Sequence, residues 1–192
     1  MNPVRCPWVK KGDPLSINYH DNEWGKPCYD SKKLFENLLL EIMQCGLNWH
    51  TVLKKRDYFR EVSQDFSPQF LANIEERTFQ ELLHNPAGIR HHAKLRAWVN
   101  NAQAFLEIEK HTSFSEFIWS FSEGKPRVNI YEKLENIPSQ TPISKKISAS
   151  LKRHGFSFIG PITCYAWMQA SGMVNDHLIT CHQHPNHLKE KS

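Results

Sequence analysis

A glutamate stands where an apolar residue is expected. If residues 31–46 form a helix, about 100° per residue brings Leu34, Leu38, Glu41 and Cys45 into one narrow arc. Charged side chains normally face away from such a stripe, and a buried one needs a partner. Trp49 lies one turn further on, roughly in line with the stripe. A carboxylate beside an indole in an apolar setting is a candidate catalytic or binding group. The bland alternative is a Glu that snorkels or pairs with a cation such as Arg90. Periodicity alone does not choose between them.

A second constellation uses softer ligands. His177 and Cys181 form an H-x3-C pair, which one helical turn would point to the same side. Cys6 and His20 stand near the start of the chain. Together the four could make a closed tetrahedral Cys2His2 site, which is the pattern of structural zinc. Such a site would pin the N-terminal coil to the C-terminal tail. Eleven His and five Cys make accidental pairs common, and His182, His184 and His187 compete as ligands.

The stretch Leu151–Cys164 has the form of a helix-hairpin-helix. Ile159-Gly160-Pro161-x-Thr163-Cys164 fits its second half, with Pro at the first helical turn, where its missing N–H costs nothing. Gly155 and Gly160 would bring backbone N–H groups near a phosphate, and the following helix N-terminus adds partial positive charge. Lys152 and Arg153 sit just upstream and could add phosphate contacts. Phe158 stands in the place of the usual first Gly, which weakens the match. An ordinary helical turn capped by Gly is the alternative.

The elements that must position these residues read as helices. Asp30-Ser31 can cap the helix over 31–46. Others are expected around 78–84, 91–109, 114–122 and 143–154, with a last strong one between Pro161 and Gly172. Pro3, Pro7, Pro14 and Pro27 make the first thirty residues look irregular. The segment 123–142, with Gly124, Pro126, Pro138 and Pro142, reads as a connection. Period-two strands are absent, so the fold class is all-α. The 192 residues, 40% of them hydrophobic, fit a single domain spanning 1–192. The hairpin would occupy about 143–172, and the metal would join 1–30 to 173–192.

Composition narrows the function little. The net charge of +4 suits a polyanion such as DNA but is ordinary for an enzyme. Five widely spaced Cys do not make a disulfide framework, and no secretory signal is recognisable. A reducing cytoplasm is therefore expected. No apolar run approaches the roughly 20 residues of a membrane helix.

Several strings together carry a resemblance. They are Tyr19-His20-Asp21-Asn22-Glu23-Trp24-Gly25, Leu40-Glu41 with Gln44-x-Gly46-Leu47-x-Trp49, and Met168-Gln169-Ala170-x-Gly172 running on to Met173-Val174-Asn175-Asp176-His177. Cys6-x-Trp8 and Trp119-Ser120-Phe121 add to them. With these, the sequence resembles the bacterial 3-methyladenine DNA glycosylase I family over nearly its whole length. The resemblance implies an all-α helix-hairpin-helix glycosylase with a structural zinc on Cys6, His20, His177 and Cys181. It implies Glu41 as the base-contacting carboxylate and Trp8, Tyr19, Trp24 and Trp49 as pocket aromatics. Ile42, Met43, Cys45, Asn48 and Ser16 depart from residue types common in relatives, which predicts a reshaped pocket.

The implied partner is double-stranded DNA containing alkylated bases, bound by a monomer. Asp176 lies near the slot of a catalytic Asp in the wider superfamily and ranks second to Glu41. No Lys occupies the usual nucleophile place beside the hairpin, so strand cleavage through a Schiff base is not expected. The rival reading is a non-catalytic helix-hairpin-helix DNA-binding protein. It has no use for a carboxylate among aromatics. A zinc hydrolase is disfavoured, because four protein ligands leave no open position.

Overall fold

The computed structural model describes residues 3–188. Its centre is α2 (Ser31–Gln44), capped by the Asp30 side chain, which accepts from the Lys33 N–H at 2.6 Å. Leu34, Phe35, Leu38, Leu39, Leu40, Ile42 and Met43 are all buried, so this helix is apolar around most of its circumference. A helix of that kind belongs inside the molecule. Two buried indoles are satisfied on its backbone. Trp98 Nε1 donates to the Leu39 carbonyl at 3.3 Å and Trp167 Nε1 to that of Leu34 at 2.9 Å.

Around α2 pack α3 (Trp49–Val62), α6 (His92–Glu109), α7 (Phe114–Trp119) and α9 (Pro161–Ala170). α1 (Pro14–Asn22) rests on α3, α4 (Pro68–Ala72) and α5 (Glu76–His84) on α6, and α8 (Pro142–Arg153) on α9. A short α10 (Pro185–Leu188) lies near the end. The fold is helical, as expected. Among the described residues the one sheet is a two-residue parallel pairing of β1 (Arg127–Val128) with β2 (Val174–Asn175).

Three expectations need correcting. The first thirty residues are not wholly irregular, because Asp13 caps α1 and Pro14 opens it. α3 was not legible as a helix. Arg56 interrupts its apolar stripe, yet it is buried on the face shared with Val52, Leu53 and Phe59. The segment 123–142 is more than a connection, since it carries β1 and a 3-10 turn over Leu134–Asn136.

Charge explains the Arg56 position. Its guanidinium donates to both oxygens of Glu23, at 2.9 and 2.6 Å, and to Glu36 Oε1 at 3.2 Å. Arg60 and Lys33 also reach Glu36. This network ties the chain after α1 to α2 and α3.

α8 and α9 join through a tight turn. Gly155 takes φ +90° and Phe158 φ +58°, a left-handed conformation that glycine adopts without cost. Asn101 of α6 clamps the turn, accepting from the Ser157 N–H at 2.7 Å and donating to its carbonyl at 3.2 Å. Gly160 is the N-cap of α9 and Pro161 its first residue.

Candidate active site

A cavity of about 600 Å³ opens between α2, α3, α9 and the segment before α8. Glu41, Trp8, Tyr19, Trp24 and Trp49 all line it, so residues scattered over the first quarter of the sequence converge. The aromatics touch one another. Ring centroids are 5.0 Å apart for Tyr19 and Trp49, 5.1 Å for Trp8 and Trp24, and 6.3 Å for Trp8 and Tyr19. The indole N–H groups of Trp8 and Trp49 are buried without a protein partner.

Glu41 is 6% exposed, and among the described residues its carboxylate has no hydrogen bond or ion pair. Arg90 is exposed and does not pair with it. Burial alone pushes the Glu41 carboxyl up to about 8. Tyr19 is also raised well above its ordinary value, by burial and then by the nearby Glu41 and Glu23 charges, so its phenol stays neutral. An uncompensated carboxyl in a cavity walled by aromatics suits a flat ligand that carries its own positive charge.

Sequence reasoning missed two walls. Tyr165 and Gln169, one turn apart on α9, line the cavity together with Ile162. Leu134, Ile137, Pro138 and Ser139 close it from the segment read as a connection. Gln169 itself stands in the recognised string, which was the signal for the first wall. Nothing local announced the second.

Of the departures, Asn48 lines the cavity and caps α3 through a bond from the His50 N–H at 2.8 Å. Ile42 and Met43 lie in the core, Ser16 accepts from the Lys10 N–H, and Cys45 faces Thr163 Oγ1 at 3.4 Å. None of these four lines the cavity.

The four soft ligands also converge. Cys6, His20, His177 and Cys181 are buried, with ligand atoms all within 4.8 Å of one another. Cys6 Sγ lies 3.6 Å and Cys181 Sγ 3.5 Å from His177 Nδ1, and Cys181 Sγ lies 3.4 Å from His20 Nε2. The edges of a tetrahedron with ordinary zinc bond lengths are about 3.5–3.8 Å, so the donor set fits a metal ion. Each imidazole is oriented from behind. His20 Nδ1–H donates to Asp21 at 2.7 Å, which Arg5 grips in turn, and His177 Nε2–H donates to the Trp24 carbonyl at 3.1 Å. The Cys6 thiol beside it draws the Cys181 thiol below its usual range, which suits a thiolate ligand.

Lys152 and Arg153 are exposed in the last turn of α8, Gly155 is exposed just beyond it, and Gly160 is half-buried at the start of α9. None of them lines the cavity. Ile162, two residues after Gly160, does.

Comparison with known proteins gives a consistent picture. A family model described as methyladenine glycosylase matches residues 8–184. The chain is 49% identical over 179 residues to a DNA-3-methyladenine glycosylase of Haemophilus influenzae, covering 93% of this chain and 96% of that one. It is 45% identical over 182 residues to DNA-3-methyladenine glycosylase 1 of Escherichia coli, covering 94% and 97%. A crystal structure of 3-methyladenine DNA glycosylase I superposes with a TM-score of 0.92 at 46% identity, covering 95% of this chain and all of the other. A variant of 3-methyladenine DNA glycosylase I in complex with 3-methyladenine gives a TM-score of 0.90 at 38% identity, over 94% and 97% of the two chains. On this match across nearly its whole length, the chain belongs to the methyladenine glycosylase family.

Proposed function

We propose that this protein is a monofunctional DNA glycosylase that hydrolyses the N-glycosidic bond of 3-methyladenine in alkylated double-stranded DNA, the first step of base excision repair. The observation that carries this reading is Glu41, buried and unpartnered in an aromatic cavity of about 600 Å³, ample for a flipped base. The names of the relatives point the same way.

The target base is stacked inside the duplex and must rotate out, at a cost of roughly a few kcal/mol that is lower for a damaged pair. Methylation at N3 makes the adenine cationic and weakens its bond to the sugar. Strong acid catalysis of departure is then unnecessary. Trp49 and Tyr19 lie against the flipped base, with Trp8 and Trp24 beside them. A cation over such rings gains about 0.5–2 kcal/mol. Glu41 accepts from the amino edge of the base, and its charge favours the cation over neutral adenine. Cleavage passes through an oxocarbenium-like sugar that water captures. No lysine lines the cavity among the described residues, so an abasic site is left uncut.

The α8–turn–α9 unit is read as a helix-hairpin-helix. Backbone N–H groups near Gly155 and Gly160, with Lys152 and Arg153, hold phosphates without reading sequence. Cys6, His20, His177 and Cys181 hold a structural zinc within a single 1–192 domain. With four protein ligands it supplies cohesion rather than chemistry. Among the described residues no helix is long and apolar enough to cross a membrane. We place the protein in the cytoplasm as a monomer.

The test is to incubate the protein with methylated duplex DNA and to separate the free bases. Release of 3-methyladenine, lost in Glu41→Gln while the metal stays bound, is expected. Undiminished release by that variant removes Glu41 from the mechanism.

A further inference from the structure

Asp176 is fully buried and lines no part of the cavity. Its carboxylate accepts three hydrogen bonds. Asn129 Nδ2 donates to Oδ1 at 2.7 Å. The Tyr165 hydroxyl and Gln169 Nε2 donate to Oδ2 at 2.7 and 2.8 Å. A group so engaged, and buried away from the cavity, is not placed to hold an attacking water. Two of its three donors, however, belong to residues that do line the cavity.

We propose that Asp176 is a positioning residue that sets the base selectivity of the cavity, by holding the Gln169 and Tyr165 donors so that the α9 wall offers acceptors. A carboxylate can only accept. The Gln169 amide must therefore turn its NH2 to Asp176, which leaves Oε1 as its free atom. Among the described residues Oε1 has no protein partner. The single hydroxyl proton of Tyr165 is likewise committed, with Tyr131 close to the same oxygen. Gln169 is thus the stronger reader of the two. Its oxygen and the Glu41 carboxylate make two acceptors on the α9 and α2 sides. An exocyclic amino group, as on 3-methyladenine, meets such acceptors well. A carbonyl in the same place, as on 3-methylguanine, meets them badly.

The inference rests on the base-excision reading, and its test separates the two. Alkylated DNA carries both bases, so a single reaction gives the ratio of 3-methyladenine to 3-methylguanine released. That ratio is independent of how much of a variant is folded, so general damage does not move it. Asp176→Asn is expected to lower the ratio about tenfold or more, the effect of one reversed hydrogen bond to a charged or polar group. The double variant Asp176→Asn with Asn129→Asp is expected to restore it. The new carboxylate at 129 can only accept, so the amide at 176 turns its NH2 there and its oxygen back to Tyr165 and Gln169. Gln169→Met provides a second route if the first variant fails to fold. It removes the acceptor, leaves Asp176 two donors, and is expected to lower the ratio as well. A wild-type protein that releases neither base overturns the functional reading. A wild-type enzyme whose ratio survives both Asp176→Asn and Gln169→Met, or whose double variant regains stability without the ratio, overturns this inference alone.

Discussion

Glu41 gives the sharpest residue-scale predictions, because burial shifts its carboxyl to about 8 with no partner to offset it. In the unfolded chain the group titrates near its ordinary value of 4.5. Between these values the folded state binds the extra proton, so stability falls as pH rises through the window. Near pH 7 the deficit relative to pH 4.5 is about 3 kcal/mol for this one group. Glu41→Gln should therefore gain stability over the wild type at pH 7.5, by about 1–3 kcal/mol, and lose that advantage near pH 5. Paired urea melts at the two pH values check this. A constant difference would mean that the carboxyl is not shifted. Function should move the opposite way. A cationic base favours the ionised carboxylate, so base release from methylated DNA should climb with pH up to about 8 and then level off. The rise should be absent from Glu41→Gln. The sequence exposed Glu41 because a charge on an apolar stripe breaks a simple rule. It hid Gln169 and Tyr165 because a polar residue and an aromatic on a helix break none. Only the packing of α9 against α2 makes them a wall.

At the scale of elements, the cavity depends on how helix ends are held. Lys94 is 3% exposed, in the first turn of α6, and its Nζ donates to the carbonyls of Met43 and Cys45 at 2.8 and 2.5 Å. These carbonyls lie at the C-terminal end of α2, where intrahelical donors run out and a cation is favoured. The same end leads into Gln44, Leu47, Asn48 and Trp49, all on the cavity wall. Lys94→Met keeps the stem volume and removes the charge. It should cost about 1–3 kcal/mol, read as a lower urea midpoint, and should slow base release further by loosening residues 44–49. Full activity in a destabilised variant would show that this segment is held by other contacts. The helix at 31–46 was legible because its cap and its apolar residues agree. α3 was not, because Arg56 sits on its inner face, and only Glu23 and Glu36, brought from two other elements, make that position acceptable. Removing Arg56 leaves those carboxylates facing each other with less cation, so Arg56→Met should destabilise by about 3–5 kcal/mol in the same urea melts. The 3-10 turn at Leu134–Asn136 was equally hidden, since its role is fixed by the cavity it closes.

At the scale of the molecule, two devices besides the Arg56 network fasten the N-terminal segment to the rest, and they can be separated. One is backbone packing. The Gly25 N–H donates to the Gln169 carbonyl at 2.9 Å and the Cys28 N–H to that of Ser171 at 3.0 Å, so residues 25–28 lie against the end of α9. Gly172 permits this approach. Its φ is +65°, and a Cβ there would collide with the backbone of Lys26 and Pro27. The other device is the Cys6, His20, His177 and Cys181 cluster, whose His177 holds the carbonyl of Trp24. The apolar core around α2 contains none of these four residues. Chelation should therefore leave most of the far-ultraviolet helical signal intact. A zinc held there would contribute about 10 kcal/mol or more of binding energy, and without it residues 6–24 lose one of their anchors. Trp8, Tyr19 and Trp24 ride on that segment, so the near-ultraviolet signal, base binding and base release should be lost together, and restored by added zinc. Gly172→Ala, in contrast, should weaken the protein while the cluster still takes up metal. A chelated protein that unfolds completely would mean that the core cannot stand without the clip. One that still released base would mean that the aromatic wall is held by packing alone.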